Sequence, residues 1–239
     1  MTPRSDLPTW RSLMFVPATK PNFIAKAHTR GADAIILDLE DSVAPNEKEV
    51  ARRALPEAAK TVAQAGADVV VRINRPMEMS VPDIAAAIMP GVRALMLPKV
   101  MGPEHVKLLS EVVAAREAAL GLRQGHTRFI AIVETPESLP ALGSIASADP
   151  RVVALGVGAE DLSTELGGSP TGDALYVYAM MVVAAARGAG ILPLGSVGRF
   201  ADFSDLQGYR ESLKRSRGLG FACTACIHPL HVPIINEEY

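Results

Sequence analysis

The sequence is short of cysteine, of net charge and of long apolar runs, and each shortage removes a class of protein. Its two cysteines, Cys223 and Cys226, form a Cys-x-x-Cys with His228 two residues on. They lie in Gly220-Phe-Ala-Cys-Thr-Ala-Cys-Ile-His228, which reads as a strand, where residues three apart point to opposite faces. They therefore read as small buried hydrophobes rather than a metal or redox pair. With 24 basic against 26 acidic residues, there is no field to hold a nucleic acid or an anionic membrane, so a small-molecule partner is expected. No apolar run approaches the ~18 residues of a membrane span. Residues 1–10 hold two prolines and no apolar h-region, which argues against a secretory signal. A cytoplasmic protein is expected. Histidines do not cluster, which argues against zinc, and there is neither a Ser-His-Asp or Cys-His arrangement nor a phosphate-binding glycine loop.

What is present is a chain of 239 residues, 49% hydrophobic, enough for one large core. Short β-branched runs alternate with helix-like segments. The runs are Ser12-Leu-Met-Phe-Val16, Ala34-Ile-Ile-Leu-Asp-Leu-Glu40, Asp68-Val-Val-Val-Arg-Ile-Asn74, Ala94-Leu-Met-Leu-Pro-Lys99, the segment 129–133, Val152-Val-Ala-Leu-Gly-Val157, a weak Gly190-Ile-Leu-Pro-Leu194 and a last one ending at His228. Helices are expected after Pro21 to near Gly31, from a capping box at Asn46 and Glu49 to about Ala65, over 82–89, 104–120, 137–146 and 173–187, and from Phe203 to about Arg217. Eight continuous apolar strands alternating with helices predict a parallel sheet closed into a (β/α)8 TIM barrel, one domain over 1–239. An open doubly wound sheet is the alternative, although Gly156-Val-Gly-Ala-Glu-Asp161 lacks the third glycine of a dinucleotide fingerprint.

In a barrel the chemistry collects at the C-terminal strand ends. Those ends carry Asp38, Glu40, Arg72, Asn74, Lys99, Glu134, Asp161 and His228. Phe129-Ile-Ala-Ile-Val-Glu-Thr-Pro136 and the run from Val152 to Asp161 each deliver a carboxylate to one end of the sheet, as a hard-cation site of magnesium or manganese requires. The alternative is that Glu134 and Asp161 are helix caps or solvated loop acids. Asp38 and Glu40 are two apart, as are Arg72 and Asn74, so each pair shares a strand face. The fork of Arg72 suits a substrate carboxylate; it also suits a structural ion pair with Asp38 or Glu40. Lys99 reads better as a partner for an acid than as a Schiff-base nucleophile, and His228 better as a hydrogen-bonded strand end than as a base.

Seven motifs then resemble a known family in order: Phe15-Val-Pro-Ala-Thr-Lys-Pro21, Gly31-Ala-Asp-Ala-Ile-Ile-Leu-Asp-Leu-Glu-Asp-Ser-Val43, Val71-Arg-Ile-Asn74, Met96-Leu-Pro-Lys99, Ile132-Val-Glu-Thr135, Gly158-Ala-Glu-Asp-Leu162 and Cys226-Ile-His-Pro229. They are similar to the citrate lyase β-subunit-like members of the HpcH/HpaI aldolase superfamily. The resemblance implies a TIM barrel with Mg²⁺ on Glu134 and Asp161, a keto-acid carboxylate on Arg72, and Asp38 and Glu40 orienting metal-bound waters. It implies cleavage or formation of a C–C bond in citryl-, malyl- or citramalyl-CoA, giving an acyl-CoA and a 2-keto acid, in a homotrimer or hexamer. Lys20 is the residue expected to meet the phosphates of the thioester. The resemblance leaves two alternatives: an aldolase of free hydroxy-keto acids or a thioester hydrolase on the same metal site, and a subunit that holds an acyl-carrier protein inside a citrate lyase complex. Departures are Leu194-Gly195 in place of Asp-Gly, Cys223-Thr224 in place of a Gly-Lys-like pair, and an end soon after Ile235-Asn236, so the family's C-terminal lid segment is expected to be absent.

Overall fold

A computed structural model describes residues 4–168, 173–197 and 205–239. Its frame is one parallel sheet of β1 (Ser12–Pro17), β2 (Ala34–Asp38), β3 (Asp68–Arg72), β4 (Ala94–Leu97), β5 (Arg128–Val133), β6 (Val152–Val157), β7 (Leu192–Leu194) and β8 (Thr224–Cys226). The strands run in the order β7-β6-β5-β4-β3-β2-β1-β8. A parallel bridge between Leu194 and Cys223 and the bond from the Gly195 amide to the Cys223 carbonyl, 2.9 Å, join the two ends and close the barrel. The closed alternative holds and the open sheet does not.

The continuous apolar runs are explained by burial on both faces. Leu13, Ala34, Ile36, Val70, Met96, Ile130, Ile132 and Ala154 fill the barrel interior. The residues of opposite parity, such as Ile35, Leu37, Val69, Val71, Leu95, Leu97, Phe129 and Val133, pack under the helices. Because side chains alternate along a strand, extending the inward set by two residues puts Asp38, Arg72 and Glu134 inside the rim. The two cysteines divide the same way: both are buried and free, Cys223 with the interior set and Cys226 with the outer one.

The helices are α1 (Pro21–Ala27), α2 (Lys48–Val62), α3 (Met77–Ala87), α4 (Pro103–Ala119), α5 (Leu142–Ala146), α6 (Ala159–Glu165), α7 (Asp173–Gly188), α8 (Leu206–Gly218) and α9 (His231–Glu238). Several boundaries differ from the sequence reading. The capping box at Asn46 and Glu49 does not form, because Pro45–Glu47 is a 3-10 turn and α2 begins at Lys48 without a side-chain cap. The helix expected over 137–146 splits into a 3-10 segment, Pro136–Ala141, and α5; Pro140, which lacks an amide hydrogen, sits at the break. The helix expected at 82 begins at Met77 and carries Pro82 inside it. Helix α9 begins at His231, soon after β8 ends at Cys226, and neither it nor α6 was foreseen. Phe203, the expected start of the last helix, lies outside the described residues. Among the described residues no helix is long and apolar enough to cross a membrane.

Candidate active site

The strand ends and the turns just past them bring six of the expected charged residues together. Arg72, at the end of β3, faces Asp38 at the end of β2, and the two are register partners across the sheet. Arg72 Nε and Nη2 donate to the two oxygens of Asp38 at 2.6 and 2.8 Å. Its Nη1 lies 2.8 Å from Glu40 Oε2, and the guanidinium sits over the Phe15 ring, 4.9 Å from its centroid. Asp38 also accepts from the Glu40 amide at 2.9 Å, from the Ser42 amide at 3.1 Å and from the Ser42 hydroxyl. Burial opposes its ionisation, but the bonds from Arg72 outweigh it and hold its carboxyl below the usual range. One edge of the Arg72 fork is thus taken by Asp38, as the ion-pair reading anticipated, and the edge at Nη1 is the one turned toward the other carboxylates.

Lys99 is the second cation. Its Nζ lies 2.8 Å from Glu40 Oε1 and 3.0 Å from Asp161 Oδ2, and its backbone amide donates to Glu134 Oε2 at 2.9 Å. Burial lowers the ammonium's affinity for its proton, yet the bonds to Glu40 and Asp161 raise it beyond an ordinary lysine. Lys99 has φ +48°, the only non-glycine residue in the left-handed region among those described. Such a conformation costs about 1–2 kcal/mol for a side-chain-bearing residue and collects at functional sites. It turns the amide toward Glu134 while the side chain reaches Glu40 and Asp161.

Glu134 is buried just past β5, and Asp161 stands in the first turn of α6, 44% exposed at its side chain. Burial, reinforced by the charges of Glu40 and Asp161, pushes the Glu134 carboxyl up to about 7. Glu40 is also raised, chiefly by burial. Gly158 makes room for this group, because a Cβ there would overlap the Glu134 carboxylate. Among the described residues no three acids, histidines or cysteines already surround one point as a metal shell, and the Lys99 ammonium lies between Glu40 and Asp161. The donor set nevertheless fits a hard cation. It is all oxygen, it holds more negative than positive charge, and Glu134 is a buried carboxyl whose ionisation is opposed by burial and by the neighbouring acids. Two carboxylates suffice for magnesium, which keeps several waters or substrate oxygens.

The residues border a cavity of about 220 Å³ that Arg72, Glu134, Gly158 and Asp161 share with Phe15 and Ile132. Lys20 does not join them; it is exposed on the loop after β1, where its carbonyl starts α1. His228 also lies outside the cluster, with its Nδ1 accepting from the Leu230 amide at 3.3 Å. Sequence reasoning missed Gly158, the Phe15 ring and the supports of the loop after β2. Lys48 Nζ donates to the carbonyls of Leu39 and Glu40, both at 2.6 Å. Asn74 Nδ2 donates to the Leu39 carbonyl at 3.0 Å and is itself held by Asp83 at 2.7 Å.

A closed parallel barrel with clustered acids and two cations at the C-terminal mouth defines an enzyme of the TIM-barrel type. The model of the HpcH/HpaI aldolase/citrate lyase family matches residues 11–229, and the chain belongs to that family of carbon–carbon lyases. It is 31% identical over 235 residues to the citrate lyase subunit beta of Leuconostoc mesenteroides subsp. cremoris, covering 96% of this chain and 76% of that protein. It is 32% identical over 255 residues to the L-malyl-CoA/beta-methylmalyl-CoA lyase of Rhodobacter capsulatus, covering 96% and 78%. The citrate lyase beta subunit from M. tuberculosis, complexed with oxaloacetate and magnesium, superposes with a TM-score of 0.75 at 31% identity over 97% of each chain.

Proposed function

We propose that the protein is a divalent-metal-dependent lyase that splits a 3-hydroxyacyl-CoA thioester, of the citryl-, citramalyl- or malyl-CoA kind, into an acyl-CoA and a 2-keto acid. The observation that carries the reading is the convergence of Glu134 and Asp161 beside Arg72 at the barrel mouth. In this reading Glu134 and Asp161 hold Mg²⁺ or Mn²⁺. Bound there, the ion supplies Lewis acidity to substrate oxygens and lowers the pKa of the hydroxyl that becomes the keto group.

The remaining steps belong to side chains. Arg72 presents Nη1 to the substrate carboxylate while Asp38 fixes the guanidinium from behind, so Asp38 is a positioning residue. Glu40, held between Arg72 and Lys99, orients water at the site. Lys99 keeps positive charge beside the carboxylates and balances negative charge as the C–C bond breaks. Lys20, exposed near the mouth, meets the phosphates of CoA. A trimeric or hexameric assembly and an acyl-carrier protein as partner are further parts of the proposal, supported by the kinship with citrate lyase beta subunits.

Isothermal titration with oxaloacetate, pyruvate and glyoxylate, in Mg²⁺ and in EDTA, tests the reading. Metal-dependent binding of one of them is expected, and binding lost in Glu134→Ala and Asp161→Ala. Binding that persists in EDTA overturns the metal assignment. Turnover that does not need the CoA moiety moves the reaction to free hydroxy-keto acids.

A further inference from the structure

Four charged side chains at the mouth form a chain of ion pairs. Asp161 Oδ2 lies 3.0 Å from Lys99 Nζ, Lys99 Nζ lies 2.8 Å from Glu40 Oε1, and Glu40 Oε2 lies 2.8 Å from Arg72 Nη1. Glu40 thus gives one oxygen to each cation. At one end of the chain stands Asp161, read above as a metal ligand, and at the other Arg72, read as the grip on the substrate carboxylate. Asp41 lies alongside, 3.9 Å from Lys99 Nζ and 3.4 Å from Arg72 Nη1.

Lys99 has a fixed end and a movable one. Its main chain is held at φ +48°, with the amide bonded to Glu134 at 2.9 Å. Its ammonium ends a flexible four-carbon stem and is partly exposed. A divalent ion held by Glu134 and Asp161 would stand beside that ammonium, and like charges repel strongly at such a range. The ammonium has somewhere to go, because Glu40 already holds it and Asp41 is within reach. Resting on those two acids, it competes with Arg72 Nη1 for both of them and leaves that edge of the guanidinium to an incoming carboxylate.

We propose that Asp161, Lys99, Glu40 and Arg72 form a relay that couples the two ligands of the site. Lys99 yields Asp161 to the metal, takes Glu40 and Asp41 from Arg72, and so turns Arg72 Nη1 to the keto acid. Lys99 is in this account a positioning residue. The proposal rests on the lyase reading and adds to it a mutual dependence: the metal binds weakly alone, and metal and keto acid bind tightly together. By reciprocity, the factor by which Mg²⁺ tightens the keto acid equals the factor by which the keto acid tightens Mg²⁺.

Calorimetric titration of Mg²⁺ with and without glyoxylate, pyruvate or oxaloacetate measures that factor in the parent, in Lys99→Met and in Lys99→Gly. Methionine keeps an unbranched stem without the charge. Glycine adopts the left-handed backbone freely and keeps the amide for Glu134, so the test survives a methionine variant that fails to fold. In both variants Mg²⁺ alone is expected to bind roughly tenfold tighter or more, since no ammonium has to leave Asp161. The coupling factor is expected to shrink roughly tenfold or more, to the part that direct contact between metal and keto acid supplies. Removing a residue that only shaped the loop would weaken Mg²⁺ binding instead. Mg²⁺ bound with parent affinity, or more weakly, in either folded variant overturns the relay. Tighter Mg²⁺ binding with an unchanged coupling factor overturns it too, since Lys99 would then merely repel the ion. If the parent binds none of the three keto acids in a Mg²⁺-dependent way, the lyase reading falls and the relay with it.

Discussion

At the scale of the residue, Glu134 carries the tension of the site. Its carboxyl is raised from an ordinary 4.5 to about 7, so the native state binds this proton more tightly than the unfolded chain does. The stabilisation is complete below about pH 4.5 and is lost as pH rises toward 7, leaving an ionised carboxylate that costs up to about 3 kcal/mol above it. Glu134→Gln removes the charge and keeps an acceptor for the Lys99 amide. In EDTA at pH 8 the variant is expected to be more stable than the parent by about 1–3 kcal/mol, and to show no rise in melting temperature with Mg²⁺. Urea unfolding at pH 5 and 8 is the check, and parallel pH profiles for the two proteins would remove the burial argument. Arg72 can be tested by geometry instead of charge. Arg72→Lys keeps the cation but loses the two-point grip on Asp38 and the planar stack on Phe15. Metal-dependent keto-acid affinity should fall at least tenfold, by the ~1.5–3 kcal/mol of a charged hydrogen bond. Unchanged titration curves would show that Nη1 does not meet the substrate.

At the scale of the element, the loop between β2 and α2 is held from outside the barrel. Lys48 on α2 grips the carbonyls of Leu39 and Glu40. Arg52 Nε on α2 pairs with Asp83 on α3 at 2.7 Å, and Asp83 holds both the amide and the side chain of Asn74. Lys48→Met leaves those two carbonyls without their ammonium, and about 1–3 kcal/mol of stability should be lost. Mg²⁺ and keto-acid affinity should weaken as well, although Lys48 touches neither. A variant that loses stability but binds with parent affinity would show that the loop keeps its shape unaided. This support was illegible in the sequence because Asp83 lies nine residues past Asn74 inside a helix, with no local signal tying it to a loop forty residues earlier. The strands were legible, since burial on both faces writes each as an unbroken apolar run. So were Asp38, Arg72 and Glu134 as residues at strand ends, whereas Asp161 stands past the end of β6, in the first turn of α6. What spacing could not decide was the pairing among them: that Arg72 turns one edge to Asp38, and that Lys99 leaves ordinary backbone space to reach two acids. The short helices α6 and α9 follow strands so closely that no apolar period had room to develop.

At the scale of the whole molecule, strain and unbalanced charge gather at the C-terminal mouth while the other end is tied down. Arg151, just before β6, forms a two-point pair with Glu117 of α4, Nη1 to Oε1 at 2.8 Å and Nη2 to Oε2 at 2.7 Å. Both residues are buried, at 4% and 0% exposed. Glu117 also accepts from the amides of Gly125 and Thr127, and Arg151 donates to the Thr127 carbonyl and the Ser110 hydroxyl. Burial works against the Glu117 charge, but the bonds from Arg151 and these amides outweigh it and hold its carboxyl below the usual range. A depressed carboxyl contributes stability above its ordinary value of 4.5, and that contribution disappears as pH falls through the folded value. Arg151→Met strands a buried carboxylate and should cost about 3–5 kcal/mol at pH 7. The double variant Glu117→Leu with Arg151→Met should recover much of that loss, because an apolar pair of similar volume replaces an ion pair at little net cost. Below pH 4 the gap between the single variant and the parent should narrow, since the stranded acid can then take up a proton. Both proteins should bind Mg²⁺ with parent affinity, because the clamp joins the opposite end of the strands. A clamp variant that folds but loses metal binding would show that the two ends of the barrel are coupled, and that the acids at the mouth depend on the register fixed at the base of β5 and β6.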